Sequence, residues 1–210
     1  MATTNPPDLR DQILQDAAPA VMVPNFSEPP PMAGHGHRYL VARDGVYLEI
    51  SRAACHLRLS LGPVATPLPF GAIAEETVFH FGRLSQHLPL FHRFLADARN
   101  NLPNEFAAWL VWDEFDCELR YRACKTIEAS AGRVHFERPR LDKNESLAVD
   151  LHSHGVGHAF FSANDDEDDA GEVKISGVVG EIDRATPSSV FRLCAMGVVR
   201  EMVFPAEAWK

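Results

Sequence analysis

Hydrophobic and polar positions alternate along several short stretches of the chain, a pattern typical of β-strands. In residues 39–50, two apolar runs flank Arg43-Asp44-Gly45, which predicts a hairpin with an Asp-Gly turn. Two further strands are predicted at His56–Leu61 and Thr77–Phe81. Residues 37–84 are therefore expected to form a small β-rich N-terminal region.

The pattern changes to a helical period in Ser85–Asn100. Apolar residues recur there every three or four positions, and Pro89 suits the first turn of a helix. The run Phe106–Trp112 is almost wholly apolar, as in a central strand covered on both faces. Residues 85–210 therefore predict an α/β domain in which a mixed sheet is flanked by helices. Alternation predicts its remaining strands at 119–123, 134–136, 172–179 and 190–196.

Residues 1–36 are rich in proline, alanine and polar residues. They predict a flexible leader with little packed core of its own, apart from a short helix around Leu9–Asp16. The leader contains an H-x-H pair, His35 and His37. No serine or aspartate follows this pair at a useful distance, so we interpret it as part of a loop and not as a metal site.

Composition limits the possible functions. With 210 residues, 46% of them hydrophobic, the chain can bury a core as one domain with an extension or as two small domains. A net charge of −9 argues against an extended nucleic-acid-binding surface. No apolar run approaches the ~20 residues of a membrane span, and no signal peptide is visible, so a cytoplasmic location is expected. The four cysteines are scattered and predict neither a disulfide framework nor a thiolate zinc site.

The residues best suited to bind a metal ion lie in the segment Ala148–Asp169. Leu147, Val149 and Leu151 alternate with polar or small residues. They predict a half-buried strand with His152 and His154 together on the opposite face. Ser162 suits the N-cap of a helix, which would turn Asp165 back toward the strand end. Two imidazoles and one carboxylate would leave the fourth position of a tetrahedral zinc site open, as catalytic zinc sites require. The pattern is H-x-H-x7-S-x-x-D.

The same residues also allow simpler interpretations. S-x-x-D is an ordinary capping box, and H-x-H on an amphipathic strand can be two exposed imidazoles. The acidic residues that follow, Asp166 to Asp169, suit a solvated first turn of a helix, and His158 suits a solvent-facing loop. Hydrolysis would also need a carboxylate that transfers a proton. The candidates are Glu105, Glu114, Asp113 and Asp150, and Asp150 could instead bond an imidazole.

This segment resembles the JAMM motif of the zinc-dependent isopeptidases with the JAB/MPN fold, which is an upstream Glu followed by H-S-H-x7-S-x-x-D. His152, His154, Ser162 and Asp165 match it, and the run Asn101–Leu110 resembles the surroundings of the family's Glu, at Glu105. The resemblance implies a cytidine-deaminase-like α/β fold, Zn²⁺ held by the two histidines and Asp165, Glu105 as the proton carrier and Ser162 as an oxyanion donor. Many JAMM enzymes have proline where this chain has Gly155, so the geometry of that loop is expected to differ.

More narrowly, the sequence DLHSHG…FFSANDDEDD resembles that of the protein A family of the bacterial PRTRC gene cassette. That resemblance implies hydrolysis of an amide or isopeptide bond in a ubiquitin-like or sulfur-carrier-type protein conjugate. It also implies a ThiF-like adenylating enzyme of the same cassette as a partner. Only about 25 residues separate Asp165 from Val190, which leaves little room for a second zinc-bearing insertion. The rival hypothesis is a non-catalytic JAB-fold interaction scaffold with a structural metal.

Overall fold

A computed structural model describes residues 8–130, 133–204 and 209 of the chain, and the side chains of 128–130 and 133–135 are not included in the description. The first seven residues of the predicted leader lie outside the described residues. The chain divides into two units, Met1–Val78 and Phe79–Lys210. Within the described residues, no helix is long and apolar enough to cross a membrane.

The first unit is a helix followed by a five-stranded sheet in which the strands lie in sequence order. Strand β1 runs parallel to β2, and β2, β3 and β4 form an antiparallel meander. The predicted hairpin is therefore confirmed as β2 and β3. The elements are α1 (Leu9–Ala17), β1 (Ala20–Met22), β2 (Gly36–Val41), β3 (Gly45–Arg52), β4 (Cys55–Pro63) and β5 (Glu76–Phe79).

Part of the predicted leader belongs to this sheet. Val23 directly follows β1, is buried, and packs with Leu40, Ala42 and Tyr47. The sequence signal was weak there because β1 has three residues, too few for an alternation to be visible. The predicted leader helix is observed as α1, and none of its side chains is buried.

The second unit is built around a six-stranded sheet in the order β13-β12-β11-β10-β6-β7. Only β10 and β11 run parallel, so the predicted mixed α/β arrangement is confirmed. Strands β8 and β9 form a separate hairpin. The elements are α2 (Leu88–Asn100), β6 (Ala107–Asp113), β7 (Glu118–Ala123), β8 (Lys125–Ser130), β9 (Arg133–Glu137), β10 (Glu145–Ser153), α3 (Ala163–Asp169), β11 (Val173–Gly180), β12 (Ser188–Ala195) and β13 (Val198–Met202).

Helix α2 covers one face of this sheet with its apolar stripe. Phe91 meets Phe191 of β12, and Phe94 meets Phe106 beside β6, with ring centroids 6.1 and 5.9 Å apart. All seven residues of β6 are buried, as its apolar sequence predicts. Strands β10 and β6 are thus both interior strands of the sheet.

The opposite face carries the polar residues of the motif. Paired residues of neighbouring strands point to the same face, so Asp150 lies beside Trp109 and Ser176, and His152 beside Ala107 and Val178. Helix α3, which connects the parallel pair β10 and β11, packs on this face. Part of the face is covered by an apolar cluster that includes Trp109, Val111, Phe136 and Leu147.

Candidate metal centre

The two motif histidines leave the sheet at the end of β10. His152 is within the strand and opposite Ala107 of β6, whereas His154 is one residue past the strand end. The backbone N–H of His154 still donates to the carbonyl of Val179 at 2.9 Å, which keeps the chain extended beyond the strand. Gly155 then turns the chain with a φ of +54°, a conformation that favours glycine.

The alternation of β10 is broken by a bulge between Leu147 and Val149. The extra residue, Ala148, shifts the faces, so Leu147 packs with Trp109 and Val111 on the same face as His152. The expectation that Leu147 lies opposite the histidines is therefore wrong, while Val149 and Leu151 do lie opposite. A bulge leaves no mark in a hydrophobic pattern, because it inserts a single residue.

The carboxylate of the motif is presented by the first turn of α3. Ser162 is the N-cap, as predicted, and its hydroxyl accepts from the backbone N–H of Asp165 at 3.4 Å. In return, the backbone N–H and the hydroxyl of Ser162 both donate to Oδ2 of Asp165 at 2.6 Å. Oδ2 is thus held by the cap, and Oδ1 is left 3.5 Å from Nε2 of His152.

The three side chains converge on one point. Nε2 of His152 is 3.3 Å from Nε2 of His154, and one ligand atom from each of His152, His154 and Asp165 lies within 4.8 Å of the others. Among the described residues, this is the only group of three or more such side chains that could hold a metal ion. The pair His35 and His37 does not form one.

The hydrogen bonds around His154 suit a metal ligand. Its Nδ1 lies 3.3 Å from the carbonyl oxygen of His158, and the tautomer that donates this bond is the one that keeps Nε2 as a metal-binding atom. For His152, burial lowers the pKa below its ordinary value, and this outweighs the opposing effect of Asp165. A neutral imidazole is the form that binds a metal. Two imidazole nitrogens and one carboxylate oxygen are a donor set suited to zinc.

A cavity of about 570 Å³ opens over the three residues. Glu105 lines it and is only 7% exposed, although it precedes an apolar strand and lies 47 positions before His152. The other lining residues are Phe136, Arg138, Asp150, Gly157, His158, Phe160, Phe161, Ser162, Asn164, Glu167, Asp168, Asp169, Lys174 and Ser176.

Ser153, the middle residue of the H-S-H triplet, is hydrogen-bonded to the residue that follows Glu105. Ser153 is fully buried, and its Oγ accepts from the backbone N–H of Phe106 at 2.9 Å. The backbone N–H of Ser153 donates to the carbonyl of Phe106 at 2.8 Å. The residue after Glu105 is thus bonded on both sides to the residue between the two histidines.

The rival carboxylates lie elsewhere. Asp113 and Glu114 are at the far end of β6, where the Asp113 carboxylate binds Arg120 at 2.6 Å. Asp150 is on the histidine face as expected, and its Oδ2 binds Nζ of Lys174 at 2.7 Å. Of the four proton-transfer candidates, only Glu105 and Asp150 line the cavity.

The acidic run after Asp165 is not a uniformly solvated face. Asp169 is 5% exposed and binds Lys174, Ser176 and Arg192, so its placement in solvent is wrong. Local sequence does not reveal this burial, because the two cationic partners of Asp169 come from the later strands β11 and β12. His158, by contrast, is exposed as predicted and lies 3.1 Å from Glu181.

The loop between His154 and Ser162 rests on the end of β11. The backbone N–H groups of Glu181 and Ile182 donate to the carbonyls of Gly157 and Gly155 at 2.7 and 3.1 Å. Gly180 permits this approach, since a Cβ atom there would lie 2.3 Å from the Gly157 carbonyl oxygen. The loop is therefore fixed, with Phe160 against the His154 ring.

Comparison with known families agrees with this architecture. Residues 87–194 match the prokaryotic homologs of the JAB domain, a region that spans α2 to β12 and contains all of the residues that converge on the centre. The chain therefore belongs to the prokaryotic JAB-domain family. Residues 8–80 match a domain of unknown function, DUF2016.

Among solved structures, the chain is similar to the solution structure of protein DSY2949 from Desulfitobacterium hafniense. The two sequences are 17% identical, and the alignment covers 54% of this chain and 86% of that chain with a TM-score of 0.40. No curated protein matches the chain.

Proposed function

We propose that the chain is a zinc-dependent hydrolase that cleaves an amide or isopeptide bond. The observation that carries the proposal is the convergence of His152, His154 and Asp165 at a cavity that Glu105 also lines. Such a centre has three protein ligands and an open side, which is the composition of catalytic zinc sites.

Each residue has a defined task in this proposal. His152, His154 and Asp165 hold the ion, which when bound would polarise a carbonyl and lower the pKa of a water molecule to about 7. Glu105 accepts a proton from the attacking water and returns it to the departing amine. Its burial at the cavity wall keeps the carboxylate beside the reacting groups.

Ser162 orients Asp165, and this is the task its contacts support directly. With Oδ2 held by two hydrogen bonds from Ser162, the carboxylate offers Oδ1 toward His152. Donation to an oxyanion, the second task we propose for Ser162, requires its hydroxyl to turn from Oδ2 toward the cavity.

We further propose a ubiquitin-like or sulfur-carrier-type protein conjugate as the substrate, and a ThiF-like adenylating enzyme of a PRTRC-type cassette as a partner. Both proposals rest on the resemblance of the motif sequence to the PRTRC protein A family. The cavity lining includes Phe160, an exposed apolar side chain that a polypeptide substrate could contact.

The test is hydrolysis of an isopeptide-linked ubiquitin-like conjugate by the zinc-loaded protein and its Glu105→Gln variant. The variant lacks the proton carrier but keeps all three ligands, so we expect about 10²–10⁴-fold slower cleavage with unchanged zinc content. Equal cleavage by both proteins would contradict the role of Glu105. Zinc binding without cleavage of any amide substrate would favour the scaffold hypothesis.

A further inference from the structure

Helix α3 carries a zinc ligand of the proposed centre, yet it has little to hold it in place. Its sequence is ANDDEDD, and seven residues are too few for a helix to be stable alone in water. Apart from Ala163, every side chain is polar, so the helix has no apolar stripe to bury against the sheet. Its position must depend on polar contacts.

Those contacts converge on Arg192 of β12. Its guanidinium donates to Asp169 at 2.7 and 2.9 Å and to Asp166 at 2.6 Å, and it stacks on the ring of Phe161 at 3.8 Å. Arg192 therefore binds the chain on both sides of Asp165. The arginine and Asp169 are 7% and 5% exposed, so water competes little for the bonds between these two residues.

Lys174 of β11 extends this network to the strand that carries His152. Its Nζ is 2.7 Å from Asp150, two residues before His152, and 2.9 Å from Asp169. Burial alone would lower the pKa of Lys174, but the two carboxylates outweigh it and raise the pKa to about 12. The lysine is charged and bridges the two elements that supply the ligands.

We infer that this buried network of Asp150, Lys174, Asp169 and Arg192 positions Asp165 against the histidines and so sets the metal affinity of the centre. The inference rests on the proposed zinc site. Asp169 and Arg192 are positioning residues: they bind each other, Asp166 and Lys174, and their described hydrogen bonds do not include the three ligand atoms.

The test compares Asp169→Asn with Asp113→Asn. Both changes remove a buried carboxylate that binds an arginine in the same unit, but Asp113 lies at the end of β6 remote from the centre. We expect both variants to lower the stability of the fold. Only Asp169→Asn should weaken Zn²⁺ binding, by about 10–100-fold in a competition titration with a chelating indicator.

A double variant separates positioning from general destabilisation. If Asp169 acts through Asp165, adding Asp169→Asn to Asp165→Asn should cause little further loss of affinity. Asp166→Asn, at an exposed position that also binds Arg192, offers a variant that folds readily and should weaken Zn²⁺ binding by a few-fold.

The zinc titrations distinguish a failure of this inference from a failure of the proposed function. Wild-type protein that binds zinc no more tightly than Asp169→Asn and Asp166→Asn would overturn this inference alone, as would fully additive losses in the double variant. Wild-type protein that binds no zinc would contradict the proposed function and this inference together.

Discussion

At the scale of single residues, Ser153 shows how one buried hydroxyl links the parts of the centre. It is the acceptor for the backbone N–H of Phe106, next to Glu105, and it stands between the two histidines. Loss of this acceptor would leave a buried N–H without its partner, which typically costs about 1–3 kcal/mol.

We therefore expect Ser153→Ala to lower the free energy of unfolding by about 1–3 kcal/mol, as measured by urea denaturation of the metal-free protein. The matched control is Ser146→Ala on the same strand. The Oγ of Ser146 is buried and has no hydrogen-bond partner among the described residues, so its removal should be neutral or stabilising. An equal loss of unfolding free energy in both variants would show that the hydrogen bond from Phe106 to Ser153 does not stabilise the fold.

At the scale of elements, the ligand loop and the end of β11 fit together through a glycine. A Cβ atom at Gly180 would meet backbone atoms of Gly157, His158 and Ala159 at 2.3 to 2.6 Å. Backbone atoms cannot move aside as a side chain can, so the loop that follows His154 would have to shift.

We predict that Gly180→Ala destabilises the second unit by about 1–3 kcal/mol and weakens Zn²⁺ binding. Gly171→Ala is the control, because a Cβ atom there would meet no atom of the described part of the chain within 4 Å. Thermal denaturation and zinc titration of both variants provide the measurement. A Gly180→Ala protein that matches the Gly171→Ala protein in both respects would mean that the loop is not fixed by this contact.

At the scale of the whole molecule, pH should act on the first unit through a buried carboxylate. Glu49 is 2% exposed and binds Arg38 and Arg58. Burial raises its pKa, but the two arginines outweigh this and hold the pKa below its ordinary value of 4.5. Its stabilising contribution is therefore complete above that value and is lost as the pH falls through the lowered pKa.

Glu49→Gln should lower the free energy of unfolding at pH 7 by about 3–5 kcal/mol, because the buried Arg38 and the half-buried Arg58 lose a charged partner. The difference between wild type and variant should shrink as the pH falls below the ordinary glutamate pKa of 4.5. Urea denaturation from pH 7 to pH 3 measures it, with Glu28→Gln at an exposed position as the control. A difference that stays constant down to pH 3 would contradict the lowered pKa.

Much of this architecture could be predicted from local sequence patterns. Helix α2, the buried strand β6 and the Ser162 cap depend on periodicity and capping, which are properties of neighbouring residues. The triad of His152, His154 and Asp165 followed from the same local rules, because the strand and the helix start that carry it are close in the chain.

The features that sequence reasoning missed depend on contacts between distant residues. The bulge at Ala148 is set by pairing with β6, and the burial of Asp169 requires Lys174 and Arg192 from strands that come later in the chain. Strands β1, β8 and β13 were not predicted either. Each is short and lies at a sheet edge or in a hairpin, where little burial imposes a pattern.

The most direct measurement is the zinc content of the purified protein beside that of His154→Ala and Asp165→Ala. We predict about one zinc per chain in the wild type, loss of the metal in both variants, and retention in Glu105→Gln. Wild-type protein that stays free of zinc after reconstitution, or variants that keep the wild-type content, would contradict the assignment of the metal centre.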